Sequence, residues 1–78
     1  MIAIATLPSL SEAYVLKSIL ELENINVFIP DEAMGGDVME LVPSVVEFQV
    51  QVAEEDVERA LKISEGFPKA KIFYPHRQ

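Results

Sequence analysis

The densest group of reactive side chains in this sequence is the run Asp31-Glu32-Ala33-Met34-Gly35-Gly36-Asp37-Val38-Met39-Glu40. Its four carboxylates have no base among them and could hold a hard cation through oxygen ligands. The Gly35-Gly36 pair could instead turn backbone amides toward an anion. The acids would repel a phosphate, so the cation is electrostatically easier, although the spacing fits no EF-hand loop. The plainer alternative is a solvated turn whose glycines supply positive φ. The candidate ligand-binding residues are therefore Asp31, Glu32, Gly35, Gly36, Asp37 and Glu40. Met34, Val38, Met39, Leu41 and Val42 place apolar groups in the same segment, either as an adaptable binding surface or as side chains folded back over a core.

Other reactive residues are sparse. Glu54-Glu55-Asp56 looks like a carboxylate cluster, but it opens an amphipathic stretch, where acids belong because they face the positive end of a helix dipole. His76 is the single histidine and stands near the carboxyl terminus with no positioned partner in its neighbourhood, so it builds neither a metal site nor a catalytic dyad. With no cysteine there is no disulfide, thiolate ligand or thiol nucleophile. No catalytic residue, metal ligand set or cofactor is expected.

Seventy-eight residues, half of them hydrophobic, make one domain over 1–78 and leave much surface outside its core, which favours a homo-oligomer. Six Lys plus Arg against thirteen Asp plus Glu give a formal net charge of −7. That sign argues against nucleic acid, which is held by counterion release, and against an anionic membrane. The first residues lack the basic and long apolar regions of a signal peptide, and no apolar run approaches the roughly 18 residues of a membrane span. A soluble, cytoplasmic protein is expected.

The elements that would position a site follow from pattern. Met1 to Thr6 is a short apolar run, a first strand. Ser9 and Glu12 form a capping box for a helix whose apolar stripe is Ala13, Leu16, Ile19 and Leu20. Asn24 tolerates positive φ and suits the end of that helix, with Ile25 packing back on the last turn. Asn26 to Ile29 reads as strand two, and a loop over 30–44 follows. Strand three has the clearest pattern, with Val46, Phe48, Val50 and Val52 alternating against Glu47, Gln49 and Gln51. A second helix from Glu54 to Gly66 buries Val57, Ala60, Leu61 and Ser64 and pairs Glu55 with Arg59 and Glu58 with Lys62. Lys71 to Tyr74 is a short fourth strand, and 75–78 should fray.

The order β-α-β-β-α-β predicts an α+β, ferredoxin-like sandwich, an antiparallel sheet with two helices on one face. The other face is expected to carry Ala3, Ala5, Phe28, Glu47, Gln49, Gln51 and Phe73. Phe28, Glu47, Gln49, Gln51 and Phe73 are its candidate interface residues, since the mixture suits a symmetric subunit contact.

Several stretches resemble a small family of bacterial domains of unknown function that carries a signal-transducing label. They are Ser9 to Ile29, with Glu12-Ala13 and Leu20-Glu21-Leu22-Glu23-Asn24-Ile25, then Gly35-Gly36, Pro43, and Val52 to Ile63 with Asp56-Val57-Glu58-Arg59-Ala60. The resemblance spans roughly residues 2 to 64. Relatives usually have Gly where this chain has Asn24, and often a Trp near the end of strand three where this chain has Val50 and Val52. The resemblance implies a ferredoxin-like fold similar to the PII nitrogen-regulatory proteins, and its signalling label rests on that fold analogy.

The function expected on these grounds is a non-enzymatic regulatory or protein-interaction module that senses a small ligand through the acidic Gly-Gly loop or meets a protein partner. The alternative is a small acylphosphatase-like enzyme, which needs a cationic donor cluster that the turn from Thr6 to Ser11 lacks. An RNA-binding reading wants aromatics on the central strands and a basic face, where this chain offers Gln49, Gln51 and excess acid.

Overall fold

The computed structural model describes residues 1–30 and 47–74. In chain order these form β1 (Ile2–Leu7), α1 (Leu10–Leu22), β2 (Val27–Phe28), β3 (Phe48–Val52), a 3-10 turn (Glu54–Asp56), α2 (Val57–Glu65) and β4 (Lys71–Ile72). The strands make one antiparallel sheet in the order β2-β3-β1-β4. The two β-α-β halves interleave, so β1 and β3 hold the centre and the short β2 and β4 form the edges. This is the ferredoxin-like α+β arrangement expected from the element order. The expected loop over 30–44 falls outside the described residues apart from Pro30, as do Val46 and the tail at 75–78.

Local chemistry sets the ends of α1. The Ser9 hydroxyl accepts the Glu12 N–H at 3.2 Å and donates to Glu12 Oε1 at 2.8 Å, which satisfies one of the donors that a first turn leaves unpaired. At the other end Asn24 adopts φ 64°, its N–H reaches the Glu21 carbonyl at 3.0 Å, and the Ile25 N–H returns to Leu20 at 3.2 Å. That pair of bonds is the Schellman motif, and it turns Ile25 into the core. Of the expected stripe, Ala13, Leu16 and Leu20 are buried. Ile19 is 36% exposed and lies on the outer side of the helix, because a step of about 100° per residue carries it off the buried arc.

The second helical segment starts later than its acids suggest. Glu54, Glu55 and Asp56 form a 3-10 turn closed by the Asp56 N–H on the Ala53 carbonyl at 2.9 Å, and α2 begins at Val57. Arg59 reaches Asp56 at 3.7 Å and the Glu23 carbonyl at 3.0 Å, where the spacing predicted Glu55 as its partner. The second of these contacts ties α2 to the end of α1. Val57, Ala60 and Ser64 are buried, and Leu61 is half-buried against them.

One core joins both helices to one face of the sheet: Ile4, Ala5 and Leu7 from β1, Phe48, Val50 and Val52 from β3, with Ile25, Ile29 and the helical residues above. Within it the Ser64 hydroxyl is fully buried and has no hydrogen-bond partner among the described residues. A buried hydroxyl left unpaired costs about 1 to 3 kcal/mol of desolvation, and alanine also favours a helix interior. Ser64→Ala is therefore expected to leave stability unchanged or raise it by about 1 kcal/mol. A urea melt reads this directly, and a loss of more than that would mean the hydroxyl has a partner in solution.

β1 departs from simple alternation. Ile2 pairs with Val52 and Ala3 with Gln51, but Ala5 pairs with Val50, so Ile4 is an extra residue in the ladder. Directly opposed residues in an antiparallel pair share a face. Ala5, opposite Val50, therefore lies on the core side and is fully buried, and Thr6, opposite Gln49, takes the open side. The expectation that Ala5 joins Ala3 on the open face is thus corrected. A β-bulge shifts the phase of every residue after it.

Candidate functional site

The open face of the sheet is built from the outward positions of four strands. Register sets Phe28 of β2 opposite Gln51 of β3, Gln51 opposite Ala3 of β1, Gln49 opposite Thr6, and Thr6 opposite Lys71 of β4. Alternation from Lys71 and Ile72 carries Phe73 to the same face, and its N–H bonds the Ile4 carbonyl at 2.8 Å. The candidate interface residues Phe28, Glu47, Gln49, Gln51 and Phe73 therefore stand on one surface. Phe28 and Phe73 are 46% and 38% exposed at its two edges.

Between the aromatics the surface is polar and internally bonded. Gln51 Nε2 donates to Gln49 Oε1 at 2.8 Å along β3. Glu47, just before β3, receives the Thr6 hydroxyl on Oε1 at 3.0 Å and the Lys71 ammonium on Oε2 at 3.3 Å. Thr6 is almost fully buried, so its hydroxyl needs a partner, and the Glu47 carboxylate supplies it. Sequence alone missed this cluster. From sequence, Lys71 is only the start of the fourth strand and Thr6 only the end of the first. Their meeting depends on the bulge and on strand order, neither of which is written in local sequence.

The Glu47 carboxyl is held below the usual carboxylate range, first by the Thr6 hydroxyl and then by the hydrogen bond and charge of Lys71. Its folded value lies below its unfolded one. The associated stability is complete above the unfolded value and is lost as pH falls through the folded one. Wild-type protein is expected to exceed Glu47→Gln in stability at neutral pH, with the difference closing below the ordinary carboxylate range. Urea midpoints of the two proteins measured across acid pH check this; a difference that stays constant with pH would remove Glu47 as the titrating group.

A second contact between distant residues lies at the start of α1. The turn closed by the Ala70 N–H on the Phe67 carbonyl carries Lys69, whose ammonium lies 3.4 Å from Glu12 Oε2. This brings one cation near the β1–α1 turn, already ion-paired and largely exposed. At the far end of the fold Tyr74 donates to Glu65 Oε2 at 2.7 Å. Asp31, Glu32, Gly35, Gly36, Asp37, Glu40 and His76 lie outside the described residues. Among the described residues no three His, Cys, Asp or Glu side chains form a metal-binding group, and no helix is long and apolar enough to cross a membrane.

A family profile described as "putative prokaryotic signal transducing protein" matches residues 1–67. The chain belongs to this family. The matched region takes in β1 through α2 and stops at Phe67, so within this signal-transducing family's span lie both helices and three of the four strands, Thr6, Phe28, Glu47, Gln49 and Gln51 among them. Lys69, Lys71 and Phe73, which complete the open face and the α1 contact, fall beyond it. No curated protein and no solved structure matches the chain.

Proposed function

We propose that this member of the signal-transducing family is a non-enzymatic regulatory and interaction module whose open sheet face pairs with a second copy of the chain. The observation that carries the reading is the charge of that face. The chain bears −7, yet the outward strand positions and Glu47 carry, among the described residues, one acid and one base, and these are bonded to each other. A neutral surface with two half-exposed phenylalanines and two glutamines is the part of an acidic domain that another copy can approach without repulsion.

The size of the face sets the strength. Four strands about 4.8 Å apart and five residues of about 3.4 Å rise give a footprint of roughly 300 Å² per copy. That is well below the roughly 800 Å² per partner of a standard stable interface, so the pairing is weak and reversible, as a regulated association requires. A twofold axis along the strands would set Phe28 of one copy over β4 of the other and lay the two Glu47–Lys71 pairs side by side.

Sedimentation velocity over a wide concentration range tests this. The wild type is expected to associate, more strongly in salt because screening relieves the repulsion between acidic subunits, and Phe28→Glu to weaken association by at least about tenfold. Phe28 is half-exposed at a sheet edge, so far-UV dichroism should not change. A wild type that stays monomeric at every concentration and salt would overturn the self-pairing.

A further inference from the structure

α1 has two apolar faces. Ala13, Leu16 and Leu20 enter the core. About a third of a turn away Val15, Ile19 and Leu22 recur at i, i+4 and i+7, and they are 50%, 36% and 82% exposed. Exposed Ser11 and Ser18 run beside them, leaving the aliphatic side chains raised above their neighbours. An amphipathic helix ordinarily presents polar residues to water there, and aliphatics in one contiguous row mark a contact surface. The fold does not need them: the cap that follows is closed by Asn24 and Ile25, and Ile25 turns inward.

Charge decides what the row would receive. On the helical wheel Glu12 and Glu23 border one side of the row, Ser11 and Ser18 the other, and Glu21 lies about 100° beyond Leu22. Of the bases nearby, Lys69 is paired with the border acid Glu12, Lys17 lies 5.9 Å over the Tyr14 ring, and Arg59 is at Asp56 and the Glu23 carbonyl, so the Glu23 carboxylate is the acid of this border that no described base pairs. A second copy placed on this row would bring these acids together on two chains of −7 each, and an anionic lipid surface would be repelled. A segment with aliphatic anchors and Lys or Arg along one edge satisfies both the apolar row and its acidic side.

We propose that the outer face of α1, centred on Val15, Ile19 and Leu22, docks a basic amphipathic helix of another protein. At 1.5 Å rise per residue the 13 residues of α1 offer a seat about 20 Å long, which a bound helix of three to four turns would cover. This surface is separate from the open sheet face, so each can be occupied or removed without the other.

The test uses the full chain, labelled for amide NMR, and two synthetic amphipathic peptides of about 16 residues with the same leucine face, one bearing lysines on its polar face and one glutamates. The lysine peptide is expected to shift amides between Ser11 and Glu23 and to bind at least about tenfold more tightly than the glutamate peptide. Val15→Ser/Ile19→Ser/Leu22→Ser should reduce that affinity by about tenfold or more with far-UV dichroism unchanged. Glu54→Lys/Glu55→Lys, which reverses two charges away from the row, should change it by less than about threefold. Shifts confined to Phe28, Gln49, Gln51 and Phe73, or unchanged affinity in the serine variant, would overturn the proposal. So would wild-type binding to phosphatidylcholine vesicles, and not to the peptide, that the serine variant loses, or a serine variant that abolishes self-association in sedimentation. Loss of self-association in Phe28→Glu with peptide binding intact leaves this inference standing and bears only on the sheet face.

Discussion

Ala5→Gln is expected to remove a large part of the domain's stability, whereas Ala3→Gln, the same change two residues earlier on the same strand, should leave it nearly intact. Ala5 is fully buried on a central strand, opposite Val50 and beside Ile72 of β4. A glutamine there adds four heavy atoms beyond Cβ to a filled layer, at about 1 to 3 kcal/mol, and buries an amide without partners, at about another 1 to 3 kcal/mol. At about 0.05 to 0.15 kcal/mol per residue, a domain of this length holds only some 4 to 12 kcal/mol in total. Ala3 faces outward opposite Gln51, where a glutamine can reach water and neighbouring amides, so its cost should stay within about 1 kcal/mol. Thermal and urea melts followed by far-UV dichroism separate the two. If Ala3→Gln proved the damaging change, the bulge at Ile4 would be misplaced and the open face would lose its assignment.

That pair of alanines also marks where sequence reasoning stops. Features decided within a few residues were legible: the Ser9 cap with Glu12, the left-handed Asn24, and the alternation of β3, each set by local sterics or by a period that can be counted. The face assignment of β1 was not, because all six of its residues are apolar or nearly so and carry no alternation from which a phase could be read. The bulge exists only as a relation between β1 and β3. The same limit hid the Thr6–Glu47–Lys71 cluster, which joins residues 41 and 24 positions apart, and the Lys69–Glu12 ion pair. The face on which Phe28, Gln49, Gln51 and Phe73 stand was legible in spite of this, since each lies on a strand whose own alternation or edge position fixed its side.

The helix stripe was legible in its period but not in its width. Counting apolar residues at helical spacing placed Ile19 with Leu16 and Leu20, although the aliphatic residues Val15, Leu16, Ile19, Leu20 and Leu22 spread over an arc wider than the core can cover. When both faces are apolar the moment that normally points to the core is weak, and only tertiary packing selects which residues go inside. Here α1 lies on β1, β2 and β3, and those contacts choose Ala13, Leu16 and Leu20. The remaining aliphatics are what the sheet and α2 left uncovered.

Two leucines on α1 make that selection measurable with one substitution. Leu20→Ala removes a fully buried side chain and leaves a cavity between the helix and the sheet, so it is expected to cost about 2 to 5 kcal/mol. It should lower the urea midpoint with little change in slope, because the surface exposed on unfolding is nearly the same. The backbone role of Leu20, whose carbonyl accepts the Glu23 and Ile25 N–H groups, survives the change, so the loss reports packing rather than the cap. Leu22→Ala deletes the same atoms from a side chain that is 82% exposed, and alanine is the better helix former, so stability should shift by no more than about 0.5 kcal/mol. Measured at low protein concentration, a large loss for Leu22→Ala would mean that its side chain is covered within the single chain, which would remove the apolar row from the surface. A negligible loss leaves Leu22 as an aliphatic residue that the fold does not require, and whatever it contributes must then come from a contact made outside the domain.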